Sequence, residues 1–571
     1  MKKRNILFTL ICLVLLIGST YVNISTTNSA KERIITEINN TPIIDVTENK
    51  QEISPEPIFN EGELNTDEEE TTKSYLNSEL AIIIIASVVS IIALLNIIVT
   101  KLGKLSLSES LSTNKRLIYY VLSLIILCTA LPTITIILSD NKVLNGSETK
   151  DRDQKSIAIV EITNDQKASA LTKESVDDDT SVIQVSNQSN YIASNLNLIK
   201  SNGKSTDTES SFYYGLNSAF IVKDSSNVEL KESNITTNTK YSSGFFIIGP
   251  SSTALLENVT IKTTNEHSDG ITLSDTSELI AEKVNITTEK ENSNAIKVIN
   301  ENSSVKINSS KLCTSGINSS LFYSSGKIEA TNIEGNSNSS LGIIEGINSL
   351  SIIESKLTTN AVGLNNNEKF NSAIFIYKED SKNASANISN AALTIKDSEL
   401  SINKESKKYE IAPMFYLTNT KAIINITNSK LNFGSNILLK VESNNEFGDI
   451  GDNGADVTFT ATDENLNGNI IVDELSKVRL NLNNTKFKGQ INKNNVSKNI
   501  DVTFDTNSSW TLTGNSYVNT LTVTKKDLKN IRKYIKSNGY NVYYNAYNNE
   551  WLEGKVVKLS GGGKLIPIFK S

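Results

Sequence analysis

The sequence predicts an all-β chain: a right-handed parallel β-helix solenoid, preceded by N-terminal transmembrane helices and closed by a small C-terminal α/β cap. Three observations predict it. Short alternating segments recur at a near-constant interval. Apolar runs long enough to cross a bilayer stand only near the start. The last fifty or so residues change composition, becoming basic.

The repeat comes first. "SNVELKESNI" (Ser226 to Ile235), "STALLENVTI" (Ser252 to Ile261), "SELIAEKVNI" (Ser277 to Ile286) and "SSVKINSSKL" (Ser303 to Leu312) share one pattern. "NSLSIIESKL" (Asn348 to Leu357), "AALTIKDSEL" (Ala391 to Leu400) and "AIINITNSKL" (Ala422 to Leu431) continue it, as does the stretch from Ser324 to Ile333. In each, the closing aliphatic falls nine residues after the opening small or polar residue. From Ile235 the closing aliphatics advance by 26, 25, 26, 21 and 24 residues, and then the gaps widen through insertions. A second strand, such as "GFFIIG", "GITLS" or "AIFIYK", lies between successive copies.

A fixed period of this length with period-2 alternation marks a solenoid, because one coil cannot bury its own inner face and stacked coils bury it for each other. From 181 to 522 some 13 coils stacked at strand spacing give a rod roughly 60 Å long. Asn and Ser at the corners suit this reading. Asn tolerates left-handed backbone, and both side chains bond turn amides or one another along the stack.

The N-terminal segments are read in order. Residues 1–22 have a basic start, Lys2, Lys3 and Arg4, before an apolar run, and form a signal peptide or a signal anchor. The poor cleavage region "STTNSA" favours the anchor. Residues 23–79 are an acidic extracellular linker with "TDEEE". Residues 80–100 and 117–138 carry no charge and are long enough to span hydrocarbon as helices. Between them, 101–116 is a basic cytoplasmic loop with Lys101, Lys104, Lys115 and Arg116. Positive residues stay inside, so the large C-terminal portion is expected outside the cell membrane. Residues 139–180 are read as a polar stalk, and 523–571 as the basic cap. There "KKDLKNIRKYIKSNG" predicts a short helix ending at Gly539. Lysine and arginine outnumber acids ten to three from Lys525 onward. That segment either closes the open edge of the solenoid or meets an anionic polymer or lipid surface.

Composition excludes several functions. The chain has 571 residues, net charge −7 and six arginines, so no Arg-rich nucleic-acid face exists. Three cysteines, Cys12, Cys128 and Cys313, cannot build a disulfide framework. No Ser/His/Asp set, zinc spacing or phosphate loop is present. "EHSDGITLS", with the single histidine His267 beside Asp269, offers one place for glycan hydrolysis. It lacks a second carboxylate motif, and a turn is the plainer reading. "DIGDNGAD" places Asp449, Asp452, Asn453 and Asp456 close in sequence, but their spacing departs from calcium loops and fits an Asn-Gly turn better. No catalytic, cofactor-binding or metal residue is therefore expected.

As an ordered set, "FYYGLNSAFIV", "NSSLFYSSGKIEATN", "SLGIIEGINSL", "FGDIGDNGADVTF", "SSWTLTGNSYVNTL", "SNGYNVYYN" and "GKVVKLSGGGKLIPI" resemble a family of bacterial adhesin-like surface proteins. These have right-handed parallel β-helix repeats of the pectate-lyase-like fold. The resemblance runs from about Asn187 to the C-terminus. It implies adhesion. The three apolar segments depart from the secreted form of that family and suggest that this chain is held at the cell membrane. With a long repeated polar face and no reactive cluster, the expectation is a membrane-anchored, non-catalytic adhesin or envelope-structural protein that binds surface glycans, cell-wall polymer or host matrix and needs no cofactor. A polysaccharide-active enzyme with a divergent site, or a sensory or scaffolding ectodomain, are the alternatives.

Overall fold

A computed structural model describes residues 156–379, 390–524, 526, 528 and 530–569. Residues 1–155 lie outside the described residues, and with them the apolar segments 1–22, 80–100 and 117–138, the linker 23–79 and the loop 101–116. Among the described residues no helix is long and apolar enough to cross a membrane. The expected fold class is corrected accordingly. The described fold is all-β, without transmembrane helices among its elements.

Its strands stack in parallel on three faces. Sheets of 12, 14 and 10 strands each take one strand from successive coils, so every hydrogen-bonded neighbour comes from the next turn of the chain. Each repeat segment found in the sequence supplies the second and third faces. Asn227–Lys231 and Asn234–Thr237 do so in one coil, Thr253–Glu257 and Thr260–Thr263 in the next. The interleaved strands, such as Phe245–Ile248 and Ile271–Ser274, form the first face.

Register follows from the alternation. On the second face Leu256 pairs with Ala281, Ala281 with Ile307, Ile307 with Ala330 and Ala330 with Ile352. Large residues sit over small ones, and all are buried in one continuous core. Burying each such aliphatic is worth about 1.5–3 kcal/mol. A one-residue slip would turn the whole row to water, so register is strongly fixed.

The corner between the second and third faces uses a left-handed residue in coil after coil: Asn at 195, 258, 332, 428 and 484, Asp at 397 and 463, and Glu232, Lys283, Ser309 and Glu354 at others. Among residues that carry a side chain, Asn and Asp adopt this conformation most readily. The next residue points inward, and where it is Ser or Thr its hydroxyl serves the coil before it. The Ile333 amide donates to Ser355 Oγ (3.0 Å), Ser355 to Ser398 (3.0 Å) and Ser398 to Ser429 (3.1 Å). A hydroxyl column thus replaces backbone bonds that the sharp turn interrupts.

A second column ends the third face. Ser175, Thr237, Thr263, Thr288 and Thr314 each donate to the carbonyl five residues on. Lys200 stands in register between Ser175 and Thr237. It is fully buried, with Nζ 2.5 Å from the Asp177 carbonyl and 3.3 Å from Ser175 Oγ. Burial holds its ammonium down to about 8, against the pull of Asp177, Asp178 and Asp179. A lysine depressed in the fold binds fewer protons there than when unfolded. Its penalty is full below about pH 8 and vanishes above its unfolded value. Lys200→Met is therefore expected to stabilise by about 1–2 kcal/mol at pH 7, net of the Asp177 carbonyl it leaves unbonded. The gain should shrink between pH 8 and 10.5 in denaturant titrations.

Two segments differ from their sequence reading. Ile157–Ile162, Gln166–Ser169 and Thr172–Ser175, inside the expected stalk, build the first rung. Each pairs in parallel with a strand of the second rung. At the other end the expected helix shrinks to Ile531–Tyr534 and is followed at once by the strand Ile535–Lys536. That strand pairs with Trp510 and Thr511, and Ile531 and Ile535 are both fully buried. Stacking on the preceding rung outweighs the helical pattern. Val542–Asn545 and Lys564–Ile568 then stack in parallel, with Val557–Lys558 antiparallel as the last strand. The chain's end is thus mostly further rungs rather than a separate α/β unit. Arg532, Lys533, Lys536, Lys558 and Lys564 all point to solvent.

Candidate functional site

The third face is not continuous. Its 10-stranded sheet ends with Lys430–Asn432, and the next strand there, Asn465–Asn467, begins a separate four-stranded sheet. The second face runs through this point without a break, with Thr427 paired to Thr462. The gap therefore opens only past the corner.

The cause is legible in the hydroxyl column. At the corner after Ser429 the column position is Glu464, not Ser or Thr. Its Oε1 accepts the Ser429 amide at 2.7 Å, while its own amide donates to Thr485 Oγ1 at 3.2 Å. The longer side chain keeps the hydrogen bond and lets the two backbones part. Beyond the gap the rungs rejoin, with the Asn469 amide on the Asn436 carbonyl (2.8 Å) and a bulge between Ile437 and Leu439.

A groove of about 1020 Å³ crosses this corner, and a second of about 690 Å³ adjoins it through Glu399, Lys430, Leu431, Asn432 and Asn467. The rim is polar. Lys311 pairs with Glu334 at 3.2 Å and Lys430 with Glu399 at 2.9 Å. The Lys430 and Asn432 hydrogen bonds hold the Glu399 carboxyl below its usual range. Glu464 behaves oppositely. It is 3% exposed, and burial lifts its carboxyl to about 7, with Asp463 adding to the rise and the Ser429 amide opposing it. The floor is apolar. Leu431 and Phe433, which hold core positions in the repeat, are only half-buried here.

The residues singled out in the sequence sit elsewhere. His267 has positive φ and stacks on Tyr241 (4.5 Å between centroids), with its Nε2 3.4 Å from Asn292 Nδ2. Asn318 donates to Asn292 in turn, so the histidine is one step of an outward corner ladder. Burial depresses its pKa. Asp269 is buried, and its Oδ1 accepts both the backbone amide (2.6 Å) and the side-chain amide (3.0 Å) of Asn294. Lys297 Nζ lies 3.8 Å from Oδ2. Asp269→Ala should cost about 2 kcal/mol in denaturant titrations by orphaning two buried donors, and Asp269→Asn far less because the acceptor remains.

Asp456 pairs with Arg479 at 2.6 Å, and the Asn453 amide bonds the carbonyls of Asn444 and Phe447. Asp452 and Asp449 close a turn through their backbones (3.0 Å). Among the described residues no group of three or more His, Cys, Asp or Glu side chains is placed to hold a metal ion. Cys313 is a free thiol, and Cys12 and Cys128 lie outside the described residues.

Sequence reasoning missed the groove and also a second packed cluster on the outer side of the first face. There Phe375 stacks on Tyr377 (4.8 Å) and on Tyr416 (5.4 Å), covered by Phe370 and Phe447. Tyr323 donates to Glu345 (2.6 Å) and Tyr416 to Glu442 (3.1 Å) at its edge. Phe370, Phe375, Tyr377 and Tyr416 are buried, while Tyr323 and Phe447 at the edge are half-buried.

No protein-family model, no curated protein and no solved structure matches the chain. What stands is the architecture, a repeat built from parallel stacked strands.

Proposed function

We propose that the chain is a cell-surface binding protein, adhesin-like or envelope-structural, that presents its solenoid outside the membrane and acts without catalysis. The observation that carries this reading is the corner groove, whose rim of carboxylates, amides and lysines is already tied into ion pairs and hydrogen bonds. Such a rim recognises a ligand by exchanging polar contacts. Display on the outer side rests on the charge pattern of residues 1–138. Likeness to the adhesin-like β-helix proteins rests on the quoted sequence segments. Surface glycans, cell-wall polymer and host matrix are the partner classes.

Glu464 favours a second reading, a polysaccharide-active enzyme. A buried carboxyl lifted to about 7 in a groove is what a general acid needs. Against it, one oxygen of that carboxyl is committed to the Ser429 amide. Probing arrays of glycans and matrix proteins with the full chain decides between the two. Saturable binding without product supports the first. Sustained release of reducing ends, lost in Glu464→Gln, overturns it.

A further inference from the structure

The break in the third face leaves two strand edges facing one gap. Lys430–Asn432 and Asn465–Asn467 belong to different sheets, and no described backbone hydrogen bond joins them. At rung after rung before it, from Thr172–Ser175 to Lys430–Asn432, this face is paired without interruption. The core column runs Leu357, Leu400, Leu431 on one side of the gap and Leu466, Phe487, Trp510 on the other. Leu431 and Phe433 are half-buried where their counterparts Leu400 and Ile402 are fully enclosed. The opening thus combines backbone groups without strand partners, an apolar floor and a charged rim.

The rim is not neutral. Five carboxylates, Glu334, Glu354, Asp397, Glu399 and Asp463, line the rim with three lysines, Lys311, Lys356 and Lys430, and Glu464 lies buried beside them. Two of those lysines are spent on Glu334 and Glu399. An occupant carrying positive charge is therefore favoured, and its charges belong outside while its apolar group belongs inside.

Resting on the binding function proposed above, we propose that this opening captures an extended basic peptide segment by strand addition. The guest backbone meets the edges of Lys430–Asn432 and Asn465–Asn467. One apolar side chain packs on Leu431 and Phe433, which line the opening, and flanking lysines or arginines meet the acidic rim. An extended chain alternates its side chains between two faces, so a basic–apolar–basic sequence satisfies floor and rim together. Because the rungs rejoin on both sides, the guest enters from solvent as a chain end or an exposed loop.

The test uses the full chain and a fluorescein-labelled heptapeptide alternating lysine with valine. Binding should be saturable and should fall at least tenfold when alternate peptide amides are N-methylated, which removes donors and keeps charge. Leu431→Asp should reduce it by a similar factor. Since that variant can also unfold locally, amide exchange of the unaltered protein is measured as well, and peptide should slow exchange at Leu431 to Phe433 and Asn465 to Asn467. Equal binding of the N-methylated peptide, or unchanged exchange there at saturation, overturns the proposal. If instead chitin or pectin oligosaccharides protect these amides and the peptide does not, the strand-addition assignment falls while the binding function stands.

Discussion

Trp510→Ala is expected to destabilise the C-terminal rungs by about 3–5 kcal/mol and to leave the central rungs nearly untouched. Trp510 is fully buried, lies over Phe487 with centroids 6.2 Å apart, and donates from Nε1 to the Gly489 carbonyl at 2.9 Å. Truncation removes a large buried side chain, leaves a cavity and strips a carbonyl of its partner. The same residue is the platform on which Ile535–Lys536 stacks. In a solenoid each rung holds only its neighbours, so the loss should stay local. Amide exchange should rise steeply across residues 530–569 and remain slow from Asn227 to Ile402. Trp510→Phe, which keeps most of the volume, should lose much less. Equal loosening along the whole stack would show that the rungs are not the units of stability.

How much of this was legible in the sequence depends on whether a signal repeats. The inward rows were readable because Leu256, Ala281, Ile307 and Ala330 recur at one offset from a corner, and nothing but stacking requires that. The left-handed corners were readable from Asn258, Asn332 and Asn428 for the same reason. Terminal rungs were harder. Ile157 and Ile159 are exposed, and among the described residues "SIAIVEI" has a paired strand on one side alone. Ile531 and Ile535 stand four apart among lysines, which reads as a helix face, yet Ile535 is recruited by Trp510 into a strand. Local periodicity lost there to tertiary pairing.

The groove was present in the letters but not in any single motif. It comes from one glutamate in a column otherwise filled by small hydroxyl or aliphatic residues, and a column becomes visible only when coils are aligned at their corners. "ESK", "DSE", "NSK" and then "DEN" is that signal. His267 and Asp269 attracted notice because histidine is unique and acids beside glycine suggest chemistry. Stacking geometry gives both a structural task instead.

Glu464 sets the second large effect, a stability that declines as pH rises. Its carboxyl is lifted to about 7 in the fold from an unfolded value of 4.5. Between those values the folded chain holds a proton that the unfolded chain has lost. Stability is therefore full below about pH 4.5, falls across the interval, and carries the whole penalty above about pH 7. The shift corresponds to about 3 kcal/mol at most. Asp463, Asp397, Glu399 and Lys430 also line the groove, so the comparison must be made against a variant. Glu464→Gln keeps an oxygen for the Ser429 amide and never ionises. It should match the unaltered chain near pH 4.5 and exceed it by up to about 3 kcal/mol at pH 8, read from denaturant midpoints. Glu464→Ser should restore the hydroxyl column and draw Lys430–Asn432 toward Asn465–Asn467, slowing amide exchange on both strands. If the glutamine variant shows the same pH slope as the unaltered chain, the ionisation of Glu464 is not what burdens this corner, and its role as the wedge would rest on length alone.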